Sequence, residues 1–268
     1  MPNFAANLTS LFTELPFLER FAAASLSGFT AVELLFPYSV PKEQLSDILQ
    51  ENNLQQVIFN LPSGAWESGE RGIVCDPGRI SEFRDGVEVA VDYALALRCK
   101  QLNCLPGIMP RDNCPLAIRD TLASNLRYAA SRLERENIRL LIEPINAYDY
   151  PGFFLNRSSH ALAMIDELAH PNIFLLYDVY HMQLMEGNLA STISENIARI
   201  GHVQVADVPG RHEPGTGEIN FEFLFRHLDA IGYNGWIGCQ YKPLFSTEES
   251  FGWLAPHHEE VIGVTVGS

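Results

Sequence analysis

Arg139-Leu-Leu-Ile-Glu143, Phe174-Leu-Leu-Tyr-Asp178, His202-Val-Gln-Val205 and Trp236-Ile-Gly-Cys-Gln240 decide how this chain folds. Each is a short apolar run that ends at or beside a side chain carrying an oxygen. Such runs read as strands of a parallel sheet, buried on both faces. Neighbouring parallel strands lie about 5 Å apart, so Glu143, Asp178, Gln204 and Gln240 would meet at one mouth. Oxygen donors gathered in this way suit a hard or borderline divalent metal ion, Mg²⁺ or Mn²⁺.

The same alternation extends to both ends of the chain. Strands are expected at 4–7, 31–35, 56–60 and 101–105, ahead of the four just quoted. Helices are expected at 17–27, where Gly28 supplies the stop, and at 41–52, which opens with proline. Another is expected at 81–97, with an apolar stripe of Val87, Ala90, Val91, Ala94 and Leu95. Further helices fall at 115–136, 158–168, 189–200 and 221–231. A last one, at 247–254, rests on the capping-box pair Ser246 and Glu249. Eight strand-then-helix units predict an α/β fold, a (β/α)8 TIM barrel forming a single domain over 1–268, with its site at the C-terminal face of the strands. A doubly wound open sheet is the rival, but Asn7-Leu-Thr-Ser10 offers no glycine-rich turn after the first strand. The long connection at 62–79, with Trp66, Glu67, Glu70, Arg71 and four glycines, reads either as a lid over that face or as a solvated excursion.

Composition narrows the partners. The 268 residues are 47% hydrophobic, enough for a large core, and carry a net charge of −15. That charge argues against a nucleic-acid partner and would repel an acidic substrate at long range. An acid must therefore be received by a local positive centre, a metal or an arginine. Five cysteines (Cys75, Cys99, Cys104, Cys114 and Cys239) have no zinc-like spacing and read as reduced, mostly structural thiols. No signal-like start and no apolar run of membrane-spanning length is present, so the expectation is a cytoplasmic protein with no membrane partner.

Several stretches taken together resemble the hydroxypyruvate isomerase family. They are Leu141-Ile-Glu-Pro-Ile-Asn146, Tyr177-Asp-Val-Tyr-His181 with Met185-Glu-Gly-Asn-Leu189, and His202-Val-Gln-Val-Ala206 with Pro209-Gly-Arg211. Gly217-Glu-Ile-Asn220, Gly235-Trp-Ile-Gly-Cys-Gln-Tyr-Lys-Pro243, Phe4-Ala-Ala-Asn-Leu8 and Pro77-Gly-Arg79 extend the match over nearly the whole chain. That family belongs to the xylose isomerase-like barrels, which also include ketose 3-epimerases. The resemblance implies interconversion of hydroxypyruvate and tartronate semialdehyde, or of a close 2-oxo acid. It places the metal ligands on Glu143, Asp178, Gln204 and position 240, and the two acid/base carboxylates on Glu143 and position 240. This chain departs from the pattern at the last of these, where Gln240 replaces the family's glutamate.

Isomerising an α-hydroxy carbonyl moves a proton between neighbouring carbons through an enediolate, whose charge calls for a cation in a water-poor site. Carboxylates on either side act as base and acid. Glu143 can do this; Gln240 can offer an amide oxygen but no ionisable proton. Each residue also has a structural reading: Asp178 as a helix cap, Glu143 beside Pro144 as a turn residue, Arg211 as a solvated loop residue. His181 reads as a substrate contact or as packing. Arg211 reads as a clamp for a substrate carboxylate. Lys242, two beyond Gln240, reads as substrate support or as a partner of Glu143. His160, His170, His227, His257 and His258 are expected to be surface or structural.

The resulting expectation is a metal-assisted isomerase of a short hydroxy-oxo acid, impaired by Gln240, with that acid or a short sugar as its partner and a homo-oligomer as an open option. The alternatives are a ketose 3-epimerase, a phosphodiester-cleaving DNA repair enzyme, which the charge disfavours, and a metal- and ligand-binding homologue with weak catalysis.

Overall fold

The computed structural model describes residues 2–110 and 112–254. Its strands are β1 (Asn3–Asn7), β2 (Ala31–Glu33), β3 (Gln55–Asn60), β4 (Gln101–Cys104), β5 (Arg139–Ile142), β6 (Ile173–Asp178), β7 (Ile200–Val205) and β8 (Trp236–Cys239). Every neighbouring pair is parallel, and β8 closes on β1, giving a barrel in chain order. The expected (β/α)8 barrel is therefore the observed one. Its helices are α1 (Glu19–Leu26), α2 (Lys42–Glu51), α3 (Ile80–Ala96), α4 (Pro115–Glu134), α5 (Ser158–Leu168), α6 (Val179–Met185), α7 (Leu189–Asn196) and α8 (Phe221–Ala230).

The helices cover the barrel with one apolar face each. In α8, Phe221, Leu224, Phe225 and Leu228 recur at helical spacing and are all buried. Burying side chains of this kind stabilises by about 1.5–3 kcal/mol each, as an upper bound. In α3 the expected Val87, Ala90, Val91 and Ala94 are buried, joined by Phe83 in place of Leu95. Leu95 lies about 100° further round the helix than Ala94 and is half exposed. The stop at Gly28 holds: its φ is 90°, and Phe29 N–H reaches back to the carbonyl of Ala24. The last element among the described residues is a 3-10 helix over Glu248–Leu254, entered through the expected reciprocal Ser246–Glu249 bonds. His257 and His258 lie outside the described residues.

Two differences bear on the site. The first is α6, which sequence periodicity does not register because seven residues make barely two turns. The second is the end of β8 at Cys239, so strand alternation no longer decides where Lys242 points. Among the described residues no helix is long and apolar enough to cross a membrane. All five cysteines are free, and all but Cys114 are buried.

Inside the barrel Ala5, Ala31, Val57, Leu141 and Leu176 pack together in an apolar cluster beneath the mouth. Buried polar residues, among them Asn7, Glu33, Asn60, Asn103, His202 and Gln204, occupy the interior and mouth. Gly238 makes room for one of these, because a Cβ there would collide with the Glu33 carboxylate.

Candidate functional site

Glu143 follows the last residue of β5, Asp178 ends β6, Gln204 is the penultimate residue of β7 and Gln240 follows β8. The strand register sets Asp178 directly opposite Gln204. All four thus stand on the C-terminal face of the barrel, the face that carries function in this architecture.

Asp178 has two duties. Its Oδ1 caps α6 by accepting from Tyr180 N at 2.8 Å and His181 N at 3.3 Å. Its Oδ2 faces the mouth, where Arg211 Nη2 donates to it at 3.0 Å. The same Nη2 donates to Gln240 Oε1 at 3.1 Å. Asp178 and Gln240 are therefore close enough for one small cationic group to reach both. Arg211 also lies 5.0 Å from the centre of the Tyr180 ring, while its backbone sits at φ 61° on the turn after β7. Asp207 builds that turn. Its buried carboxylate accepts from the backbone N–H groups of Val208, Gly215, Gly217 and Ile219.

Glu143 is buried, and its Oε2 accepts from Asn103 Nδ2 at 2.7 Å. Burial, then the charge of Asp178, push its carboxyl up to about 8, against the opposing pull of Arg211 and Asn103. Burial likewise lifts Asp178 to about 6 although Arg211 holds it down. His181 is pressed the other way, well below the usual imidazole range, by burial and by the Arg211 charge.

The tautomer of His181 follows from its neighbours. Asn146 Oδ1 accepts from Tyr148 N and Asp149 N, which turns its Nδ2 towards His181 Nδ1 at 2.7 Å. A neutral imidazole that accepts at Nδ1 carries its proton on Nε2. That Nε2 lies 3.5 Å from Asp178 Oδ2 and 4.0 Å from Glu143 Oε1. Glu143, Asp178 and His181 thus offer atoms within 4.8 Å of one another, but His181 faces the group as a donor rather than as a metal ligand.

The other donors suit a hard cation. Two carboxylates and the Gln240 amide oxygen stand at the mouth, and Gln204 Oε1, on the neighbouring strand end, is buried with no donor against it among the described residues. Lys242 is exposed on the rim; its backbone N–H binds the carbonyl of Arg211, and no ion pair joins it to Glu143 among the described residues. It lines a cavity of about 480 Å³ together with Thr9, Tyr150, Arg211 and Gln240. A second cavity, of about 580 Å³, shares Thr9 and Leu35 with the first and reaches Phe36 and Trp66. The 62–79 connection forms that flank: Arg71 lies 4.1 Å from the Trp66 ring and 5.4 Å from that of Tyr150.

Sequence reasoning passed over Glu33, Asn103, Asn146 and Asp207. Glu33 carries the same signature as the four residues quoted first, an acid closing the apolar run Ala31-Val-Glu33, and that signal could have found it.

A pH effect follows from these carboxyls in the metal-free protein. Glu143 is raised in the fold, so its contribution to stability is complete below its unfolded value of 4.5 and is lost as pH rises through about 8. Asp178 behaves alike but has finished by about 6. The depressed His181 acts in the opposite sense, losing stability only as pH falls below its unfolded value of 6.5. Between pH 6.5 and about 8, Glu143 alone of the three still acts, and thermal unfolding should show a loss of about 2 kcal/mol across that window. A melting temperature that stays level there would remove Glu143 as a buried titrating acid.

The comparisons with known proteins agree with this architecture. The chain is 49% identical over 257 residues to the hydroxypyruvate isomerase of Escherichia coli K12, covering 96% of this chain and 100% of that protein. It is 43% identical to the 2-oxo-tetronate isomerase of Cupriavidus necator, covering 96% and 99% of the two chains. A crystal structure of an AP endonuclease, family 2, from Brucella melitensis superposes with a TM-score of 0.93 at 43% identity, covering 96% and 99%. The Escherichia coli 3-keto-D-glucoside 4-epimerase shares the fold at a TM-score of 0.80 and 20% identity. The family described as xylose isomerase-like TIM barrel matches residues 21–257, and this chain belongs to it.

Proposed function

We propose that this chain is a metal-assisted isomerase of a short hydroxy-oxo acid, acting on hydroxypyruvate or a close 2-oxo acid, with turnover held down by Gln240. The observation that carries the reading is the gathering of Asp178 and Gln240 on Arg211 at the barrel mouth, with Glu143 beside Asp178 and His181. The isomerase relatives at 43–49% identity support the same class of chemistry. Glu143, Asp178, Gln204 and Gln240 would hold the ion, and their oxygens favour Mg²⁺ or Mn²⁺. When bound, such an ion supplies the positive charge that an enediolate needs.

The chain's own residues do the rest. Glu143, buried at the mouth, takes the proton from the carbon beside the carbonyl. His181 offers its Nε2 proton to a substrate oxygen. Among the described residues Arg211 engages Asp178 and Gln240 through Nη2, and no bond occupies its Nε or Nη1. Those two donors suit a substrate carboxylate. Lys242 on the rim supplies a second positive charge for an acid approaching a protein of net charge −15. Gln240 cannot return the proton, because its amide has none to give near neutral pH. Five free thiols fit a reducing compartment such as the cytoplasm.

Arg211→Ala, made in the Gln240→Glu form, tests the acid specificity. Losing a charge-assisted hydrogen bond costs about 1.5–3 kcal/mol, so kcat/KM for acidic substrates should fall roughly ten- to a hundredfold. Neutral ketoses should change far less. Equal losses for the two substrate types would point to a 3-epimerase-like pocket instead. A second reading, a homologue that binds metal and ligand with weak catalysis, is favoured by Gln240 alone.

A further inference from the structure

The interior of the barrel holds a carboxylate that this mechanism does not use. Glu33, at the end of β2, is completely buried. Its Oε1 accepts from Asn7 Nδ2 at 2.8 Å and from Gln204 Nε2 at 2.9 Å, while its Oε2 lies 2.7 Å from His202 Nε2. The Asn7 amide is fixed from its other side, since Thr9 N–H donates to Asn7 Oδ1 at 3.0 Å, so nitrogen is the atom facing Glu33. The carboxylate oxygen is thereby committed as an acceptor. Gly238 leaves the space into which Glu33 fits.

We propose that Glu33 is a positioning residue: by accepting from Gln204 Nε2 it fixes the amide so that Gln204 Oε1 is presented to the cation. A glutamine offers an ion either an oxygen, which binds it, or an NH₂ group, which repels it. The two ends are nearly the same shape, so packing alone does not choose between them. A carboxylate below can only accept, so nitrogen turns down and oxygen turns away. Among the described residues that oxygen is buried and without a donor, on the residue opposite Asp178 in the strand register. An orphaned buried acceptor is costly unless something fills it. A divalent ion in contact with Asp178 would do so. His202 takes the remaining carboxylate oxygen, and Gln101 Nε2 lies 3.4 Å from its other ring nitrogen, so the support is anchored on β4 as well.

This inference rests on the metal-assisted reading, and the test separates the two. Mn²⁺ binding to metal-free protein is followed by the electron paramagnetic resonance signal of free Mn²⁺. Four proteins are compared: the unmodified chain, Glu33→Asp, Gln204→Leu and the double variant. Glu33→Asp keeps the negative charge but withdraws the acceptor by one methylene. It should weaken Mn²⁺ about ten- to a hundredfold, the usual effect of losing a ligand's supporting partner. Gln204→Leu should weaken it comparably, and the double variant should be no weaker than Gln204→Leu alone, since Glu33 then has no ligand left to orient. Undiminished binding in Glu33→Asp, or losses that multiply in the double variant, would show Glu33 acting only as a buried charge and overturn the proposal while leaving the metal reading standing. An unmodified chain that takes up no Mn²⁺ would overturn both. Should Glu33→Asp fail to fold, the unmodified protein still decides. The Gln204 side-chain NH₂ protons, assigned by their loss in Gln204→Leu, should be protected from solvent exchange with and without Mg²⁺. Rapid exchange in the presence of Mg²⁺ would mean that nitrogen does not face Glu33.

Discussion

Gln240→Glu should raise isomerase turnover by about 10²–10⁴-fold, the contribution of one positioned acid/base group. Moving a proton from one carbon to its neighbour needs a group to take it and a group to return it. Glu143 is ionisable and buried at the barrel mouth, whereas position 240 carries an amide that has neither a proton to lose nor a site to gain one near neutral pH. The geometry for a carboxylate is already in place, since Arg211 Nη2 donates to Gln240 Oε1 at 3.1 Å and would donate equally to a glutamate. The substitution also adds a negative charge beside Glu143 and Asp178. Both carboxyls, already raised by burial, should rise further in the metal-free protein, and divalent metal should bind more tightly. The check is kcat with hydroxypyruvate for both forms at saturating Mg²⁺ or Mn²⁺. Comparable rates would mean that position 240 serves only as a ligand and that another group handles the second proton transfer.

The contrast between what the sequence disclosed and what it hid has a physical basis. Strands of a parallel barrel are buried on both faces, so they appear as short, mainly apolar runs, and all eight can be read without knowing their partners. The oxygen-bearing residues at their ends follow from the same reading, because a barrel brings every strand end to one face. What each side chain touches does not follow from it. Glu33 and Gln204 are 171 residues apart, and only closure of the barrel sets them 2.9 Å from one another. The turn of Arg211 onto Asp178, 33 residues away, depends on a loop organised by Asp207 rather than on any local pattern. Asp178 shows why a structural and a functional reading need not compete: one oxygen caps α6 and the other faces the mouth. Lys242 was harder to place because the strand on which its alternation depended ends at Cys239.

Glu143→Gln should produce two effects of opposite sign, and together they test whether this residue is the titrating base. In the Gln240→Glu form it removes the group that takes the proton, and kcat should fall by about 10²–10⁴-fold. In the unmodified chain the further loss should be much smaller, because groups that act as a unit are not additive and position 240 is already silent. The glutamine can still accept from Asn103 Nδ2, so the local fold should persist. Stability should move the other way. The unmodified metal-free protein must either protonate Glu143 or bury its charge, and it loses stability as pH rises from 6.5 through about 8. A neutral amide carries no such penalty. Over that window the unmodified protein should lose about 2 kcal/mol, or roughly 4–8 °C in melting temperature, while Glu143→Gln should stay nearly level. A variant that is inactive yet shows the same pH-dependent loss would mean that the titration belongs to another group. A variant that is level but fully active would mean that Glu143 is a buried acid with no part in the proton transfer.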